Sequence, residues 1–362
     1  MMARWTSKFV LGLLFVTFVF LSGCMSVSGQ ANAASEKTAG SKIIAMGDIH
    51  GDYDAYHAVM VAADLIDEDG DWIGGKTIFV QTGDVADRGP DTRKIIEHLR
   101  DLGKQARKKG GKVITLVGNH EAMNMTADLR YVHAGEYEAF KTEDSETIRY
   151  RIYLANKEAI EAFYKNQDPE LTEEAIRAKW EATSPLGKLE HQAAWGPKGD
   201  IGKWVVKNPA VVLVDGNLFA HGGFSQKYID YSLKDINKAV KQALKAQDKS
   251  EESIINDSFG PLWYRGLVVK KIKDANDGAE SEASVPTLTP EAEVESILAA
   301  YNAKRIIVGH TPETKGIKAS YAGKLIQIDT GMSKYYNGTR SFLRIENGEI
   351  FAHDDGTIQK IN

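Results

Sequence analysis

An α/β domain, layered and interrupted by a helical insertion, follows from three features of the sequence. Short apolar runs recur along the chain, most of them closed by a glycine. Amphipathic segments with helical spacing separate the early runs. Residues 126–205, rich in Glu, Lys, Ala, Tyr and Trp, replace that alternation with helical periodicity. Strand, loop, helix and strand in succession is the pattern of a layered α/β architecture.

The N-terminus reads as an export signal rather than as fold. "MMARWTSK" is a short positive region, and "FVLGLLFVTFVFL" is an apolar stretch short for a membrane span. It ends in "LSGC", which resembles a bacterial lipoprotein signature: residues 1–23 would be removed and Cys24, the only cysteine, would become a lipid anchor. Met25 after the cysteine favours the outer membrane, facing the periplasm. The alternative is cleavage after Ala33, about a dozen residues beyond the apolar stretch. With Cys24 acylated or removed, the mature chain has neither a thiol nucleophile nor a disulfide. Residues 24–41, "CMSVSGQANAASEKTAGS", read as a flexible tether.

The domain then spans 42–362. Its strands are expected in "KIIAMG", "KTIFVQTG", "KVITLVG", "AVVLVDGNLFAHGG", "KRIIVGHT", "KLIQIDTG" and "SFLRIENGEIFAHD", the last folded into a hairpin at "ENG". "DTRKIIEHLRDLGKQARKKGG" places Ile95, Ile96 and Leu99 at helical spacing, with basic residues near its end and a glycine stop. "IRYRIYLANKEAIEAFYKN" and "LTEEAIRAKWEA" are the clearest helices of the insertion. Residues 273–288, "KDANDGAESEASVPTL", predict a mobile surface loop. Thr289 as N-cap and Pro290 in the first turn then start a helix running to about Asn302. The net charge of −5 without basic clusters argues against a nucleic-acid partner.

Five strand-to-loop junctions carry residues suited to metal ions. "AMGDIHG" offers Asp48 and His50, "TGDVADRG" offers Asp84, Asp87 and Arg88, and "GNHE" offers Asn119 and His120; "FAHGG" and "VGHT" add His221 and His310. In open α/β sheets the loops at the carboxyl ends of strands converge on a crevice. Carboxylates with imidazoles suit zinc, manganese or iron, whereas calcium takes oxygen alone. The ligands are too many for one tetrahedral ion, so two ions (Mn, Fe or Zn) are expected, with a carboxylate such as Asp84 able to bridge them. Singly the motifs are weak: "GDIHG" also suits a glycine turn with a helix-capping Asp, and "HGG" or "GHT" a turn histidine. Their order separates these readings, since Asp48, Asp84 and Asn119 stand 36 and 35 residues apart, one strand–helix unit each.

Together, "GDIHG", "GDVADRG", "GNHE", "HGG" and "GHT" resemble the phosphoprotein phosphatase branch of the calcineurin-like metallophosphoesterases. "DRGPDT", "GNHEAMNM" with "DLRYV" after it, "GPLWYRG" and "IDTGMS" resemble the Shewanella-like protein phosphatases more closely, from about residue 42 to 345. The resemblance implies a central β-sandwich flanked by helices, four layers α/β/β/α, carrying the helical insertion. It also implies that Asp48, His50 and Asp84 hold the first metal. Asp84 would bridge to the second, held also by Asn119, His221 and His310. His120 would be the general acid oriented by Asp87, with Arg88 and Arg265 gripping phosphate oxygens. The implied activity is dinuclear phosphomonoester hydrolysis by a metal-bridging hydroxide, with a phosphorylated protein, phosphotyrosine foremost, as substrate.

The chain departs from the eukaryotic enzymes at "DTGMSKYYNG", where Tyr335 or Tyr336 could face phosphate. His57, His98, His133, His191 and His353 are assigned to packing and turns, Tyr131, Trp180, Trp195 and Trp204 to the insertion's core, and Met123 and Met125 to packing. Two other functions fit parts of the pattern. One is a small-molecule phosphatase or dinucleoside polyphosphate hydrolase, whose substrate is a small phosphate ester. The other is a surface-anchored binding protein braced by metals, but closed structural sites need neither a His–Asp pair nor two arginines.

Overall fold

Strand β1 (Ile43–Met46) is buried along its whole length, and it alternates between two apolar environments. In this computed structural model, which describes residues 42–269 and 288–361, Ile43 and Ala45 face a second sheet while Ile44 and Met46 face helices. The signal segment, Cys24, the tether and all but the last residue of the loop expected at 273–288 lie outside the described residues. Among those described, no helix is long and apolar enough to cross a membrane.

The chain continues through α1 (Tyr53–Ala62), β2 (Ile78–Gln81), α2 (Thr92–Lys108), β3 (Lys112–Thr115) and α3 (Asn119–Met125). The insertion follows as α4 (Ala134–Glu138), α5 (Ser145–Ala155), α6 (Lys157–Gln167), α7 (Glu173–Thr183), α8 (Lys188–Trp195) and α9 (Asp200–Val205). Then come β4 (Val211–Val214), β5 (Asn217–Ala220), α10 (Leu233–Ala246), α11 (Pro290–Tyr301) and β6 (Arg305–Val308). The last elements are β7 (Lys318–Ser320), β8 (Leu325–Gln327), β9 (Ser341–Glu346), β10 (Glu349–Asp354) and β11 (Thr357–Ile361).

Two mixed sheets result, ordered β11-β10-β9-β1-β2-β3 and β4-β5-β6-β8-β7. Ile43, Ala45, Ile78 and Val80 from the first meet Phe219, Ile307 and Ile326 from the second in the core between them. On the outer faces, Ile95, Ile96 and Leu99 of α2 cover the first sheet, and Val240 of α10 with Ile297 of α11 cover the second. The four expected layers are therefore present, and the insertion contributes six helices between α3 and β4.

The parallel strands put their carboxyl ends together. Met46 pairs with Gln81 and Gln81 with Thr115; in the other sheet Ala220 pairs with Val308 and Val308 with Gln327. Six loops thus leave one edge of the sandwich, and five are the junctions named above. The sixth follows β8 and carries Asp329.

The start of α11 agrees with its sequence: the Thr289 hydroxyl accepts from Ala292 N at 3.2 Å, and Asn302 ends the helix in the left-handed conformation. Helix α10 was not among the expected elements, although Leu233, Ile236, Val240 and Leu244 form one buried face behind a Ser232 cap. Strands β7 and β11 were not expected either, because they pair at sheet edges with their side chains largely exposed.

Candidate metal centre

Five residues at the junctions hold backbone conformations that L-residues avoid. His50, Asp84, Asp87, Arg88 and His310 have φ between 50° and 73°. Each such residue costs on the order of 1 kcal/mol, and it persists where the surroundings determine it. Ile49 N and His50 N both donate to Asp84 O, at 2.9 and 3.0 Å, locking the first two loops together. The Glu121 carboxylate accepts from Asp84 N and Val85 N at 2.9 Å, from Ala86 N at 3.2 Å and from Gly118 N at 2.7 Å. One buried carboxylate therefore clamps the second loop to the third. Gly118 and Gly309 sit so close to Asp84 Oδ1 and Asp48 Oδ1 that a Cβ at either would overlap the carboxylate.

Asp84 is the centre of the donor set. Its Oδ2 lies 3.3 Å from His221 Nε2, 3.8 Å from His120 Nε2 and 3.9 Å from His50 Nε2. Two groups of ligand atoms share it: His50, Asp84 and His120 form one, and Asp84, His221 and His310 the other. Asp48 adjoins both, with Oδ2 3.9 Å from His50 Nε2 and Oδ1 3.9 Å from His221 Nδ1, while His310 N donates to both its oxygens. Asn119 Oδ1 is 2.8 Å from His221 Nε2.

These residues fit metal ions on their own evidence. His50 Nδ1 stands 3.0 Å from Ala86 O and His221 Nδ1 2.9 Å from Thr82 O, the second-layer contacts that fix an imidazole for coordination through Nε2. His221 Nε2 and Asn119 Oδ1 point into the same space 2.8 Å apart, the arrangement of two donors to one ion. His310 Nε2 is buried without a hydrogen-bond partner. Burial pushes His50 down to about 3 and His310 well below the ordinary histidine value, so both offer free lone pairs. Burial would raise Asp84, but His221 and His120 outweigh it and hold this carboxyl well below its usual range. Burial, with the charge of Asp329 and Asp84, pushes Asp48 up, and burial raises Asp329 to about 6. Such a crowd of buried carboxyls is the charge imbalance that cations correct.

His120 is built differently from the other imidazoles. Its Nδ1 lies 2.6 Å from Asp87 Oδ2, and the other Asp87 oxygen accepts from Asn124 Nδ2 at 2.8 Å. Burial opposes its protonation, yet the Asp84 charge and the Asp87 hydrogen bond raise it above the ordinary value. Arg88 packs its guanidinium carbon 4.6 Å from the ring centres of Tyr131 and Tyr335 and 5.2 Å from that of Tyr336, and its buried Nε has no hydrogen-bond partner. Arg265 lies within electrostatic reach of His310. Gly222 N donates to Pro261 O at 2.8 Å, holding the "GPLWYRG" segment against the "HGG" loop.

Residues 41–314 match the calcineurin-like phosphoesterase family. The chain belongs to this family. It is 31% identical over 302 residues to Shewanella-like protein phosphatase 2 of Arabidopsis thaliana, covering 81% of this chain and 72% of that protein. An uncharacterized Schizosaccharomyces pombe protein is 30% identical over 354 residues, covering 94% of this chain and 89% of that one. The solved cold-active protein-tyrosine phosphatase of a psychrophilic Shewanella species superposes with a TM-score of 0.65 at 25% identity, covering 89% of this chain and 80% of its own. The chain is thus a metal-dependent phosphatase of the Shewanella-like group.

All six expected metal ligands of this phosphatase, together with His120, Asp87 and Arg88, meet at one edge of the sandwich. Asn119 and His120, expected at a strand-to-loop junction, open helix α3 behind Gly118. Tyr131 is corrected: it is no core residue of the insertion but lies 39% exposed, its ring 5.2 Å from His120. Trp195 is fully buried, whereas Trp180 and Trp204 are half-buried. Glu121, Asn124 and Asp329 were not singled out. For Glu121 a signal existed, since a Glu three residues after a helix N-cap commonly reaches back to the cap's N–H.

Proposed function

We propose that this phosphatase hydrolyses phosphate monoesters on protein, favouring phosphotyrosine. Asp48, His50 and Asp84 would hold one ion, and Asp84, Asn119, His221 and His310 the other, as manganese, iron or zinc. When bound, two such cations supply a water-derived nucleophile at neutral pH and offset the charge on the phosphoryl group. Arg88 and Arg265 grip its oxygens through guanidinium forks. His120 carries a proton on Nε2 to the leaving oxygen, while Asp87 holds the opposite ring nitrogen and sets the tautomer.

The observation carrying this reading is the His120–Asp87 contact at 2.6 Å beside a donor set shared through Asp84. A site that only braces a fold needs no such acid. Preference for phosphotyrosine is supported by likeness to a protein-tyrosine phosphatase and by the lower demand that a phenol leaving group, pKa about 10, makes on the acid. The test is phosphate release by the full-length protein from phosphotyrosine, phosphoserine and phosphothreonine peptides and from a dinucleoside tetraphosphate, with elemental analysis of protein purified without added metal. Brisk hydrolysis of the dinucleotide and none of the peptides overturns it. The N-terminal sequence supports export with Cys24 lipidated at the outer membrane, facing the periplasm. Cys24→Ser should then release the protein from the membrane fraction, and unchanged fractionation counts against the anchor.

A further inference from the structure

We infer that Tyr131 and Tyr335 form an aromatic mouth that selects aryl over alkyl phosphate monoesters. The inference rests on the phosphotyrosine reading and deepens it by naming the side chains that would make the choice.

Tyr131 stands beside the candidate acid, and both rings stand beside Arg88. Tyr131 lies 5.2 Å from His120, tilted 47° to it, so a group whose oxygen His120 reaches has this ring beside it. Both rings also flank Arg88, at 4.6 Å each. Phosphate on that guanidinium is therefore bordered by an aromatic surface from α3's following loop and another from the loop before β9. Each ring packs against Arg88 on one side yet keeps open surface: Tyr131 is 39% and Tyr335 60% exposed. On the Tyr335 side of Arg88 lies a cavity of about 260 Å³, lined by His50, Arg88, His133 and Tyr335 but not by Tyr131 or His120. That exceeds the roughly 150 Å³ that takes up a benzene ring in an apolar cavity. A phenyl group on a phosphate held by Arg88 would reach the open surface of these rings, whereas the single methylene of a serine would not.

Aromatic contact of this kind changes kcat/KM by about two- to tenfold. It acts on the ground and transition states alike, so it is read mainly in KM. A second role for the rings is to brace Arg88, and the two roles separate by substrate. Loss of bracing lowers turnover of every phosphate ester, while loss of the mouth lowers the ratio of aryl to alkyl. The Tyr131 carbonyl accepts from Arg88 N at 2.9 Å, a backbone contact that side-chain substitution retains.

The experiment compares one peptide carrying phosphotyrosine or phosphoserine on full-length wild type, Tyr131→Leu, Tyr335→Leu and the corresponding Phe variants. Each Leu variant is expected to lower the aryl-to-alkyl ratio of kcat/KM two- to tenfold through KM, and each Phe variant to retain it. If the wild type prefers phosphotyrosine but both Leu variants keep the wild-type ratio, the mouth is refuted and the substrate reading stands. A wild type with no aryl preference refutes both. Tyr335 is exposed, so its variant decides the question even where Tyr131→Leu fails to fold.

Discussion

His120 and Glu121 are neighbours with opposite duties. The imidazole faces the reacting volume, held by Asp87 at 2.6 Å, and the carboxylate points back into four backbone N–H groups of two loops. His120→Asn should lower kcat by about 10²-fold or more with metal content unchanged, checked by steady-state rates beside elemental analysis. Glu121→Gln turns two acceptors into one acceptor and one donor facing donors. It should cost about 1–3 kcal/mol of stability, seen as a lower Tm, and reduce activity because the Asp84 loop loses its clamp. The cluster of candidate ligands was readable because Asp, His and Asn beside glycine after an apolar run have few other uses in combination. Tyr131 was not, because a tyrosine near the start of a helical insertion reads identically whether its ring enters the core or the mouth of a site. Asp329 stood in a quoted motif, but nothing in one sequence says that β8 lies beside β6.

At the scale of elements, α4 and α8 meet through a buried pair. Glu136 lies 3.3 Å from His191, whose ring is fully buried with Phe140 4.9 Å and Tyr137 5.4 Å away, both edge-on. Burial holds the Glu136 carboxyl above its ordinary 4.5, outweighing the opposing pull of His191. The folded chain therefore binds this proton more tightly than the unfolded chain does. Its contribution to stability is present at low pH and is lost as pH rises through the raised value. Glu136→Gln should flatten the fall in Tm as pH rises above the ordinary glutamate value of 4.5, and equal slopes for variant and wild type would exclude the effect. Helical periodicity announced the insertion, but not its attachment, which depends on which few residues are buried: α6 has none and α7 only Ile176. Edge strands β7 and β11 escaped for a related reason, since pairing rather than burial defines them.

Across the whole molecule, the centre lies where two sheets present the ends of six parallel strands. Its ligands come from distant parts of the chain: the His310 N–H donates to Asp48, 262 residues away. Ions that bind this arrangement and not the unfolded chain stabilise the fold by mass action, about 2.7 kcal/mol at a hundredfold excess over Kd. Chelation should abolish turnover and lower Tm together, and readdition of manganese, iron or zinc should restore both. A Tm indifferent to chelation would mean that the folded protein gains nothing from the ions.

The left-handed backbone at His50, Asp84, Asp87, Arg88 and His310 has a consequence for engineering. Glycine adopts that conformation without penalty, so at Arg88, which holds no ion in the proposed centre, replacement relieves local strain while removing a side chain that the proposed mechanism uses. At His50, Asp84 and His310 it would also forfeit the ions' contribution to stability. A selection for heat resistance alone would be drawn toward glycine at Arg88, a residue that the proposed mechanism requires. The most thermostable descendants of this chain should then include inactive ones, and durability and catalysis would have to be selected jointly.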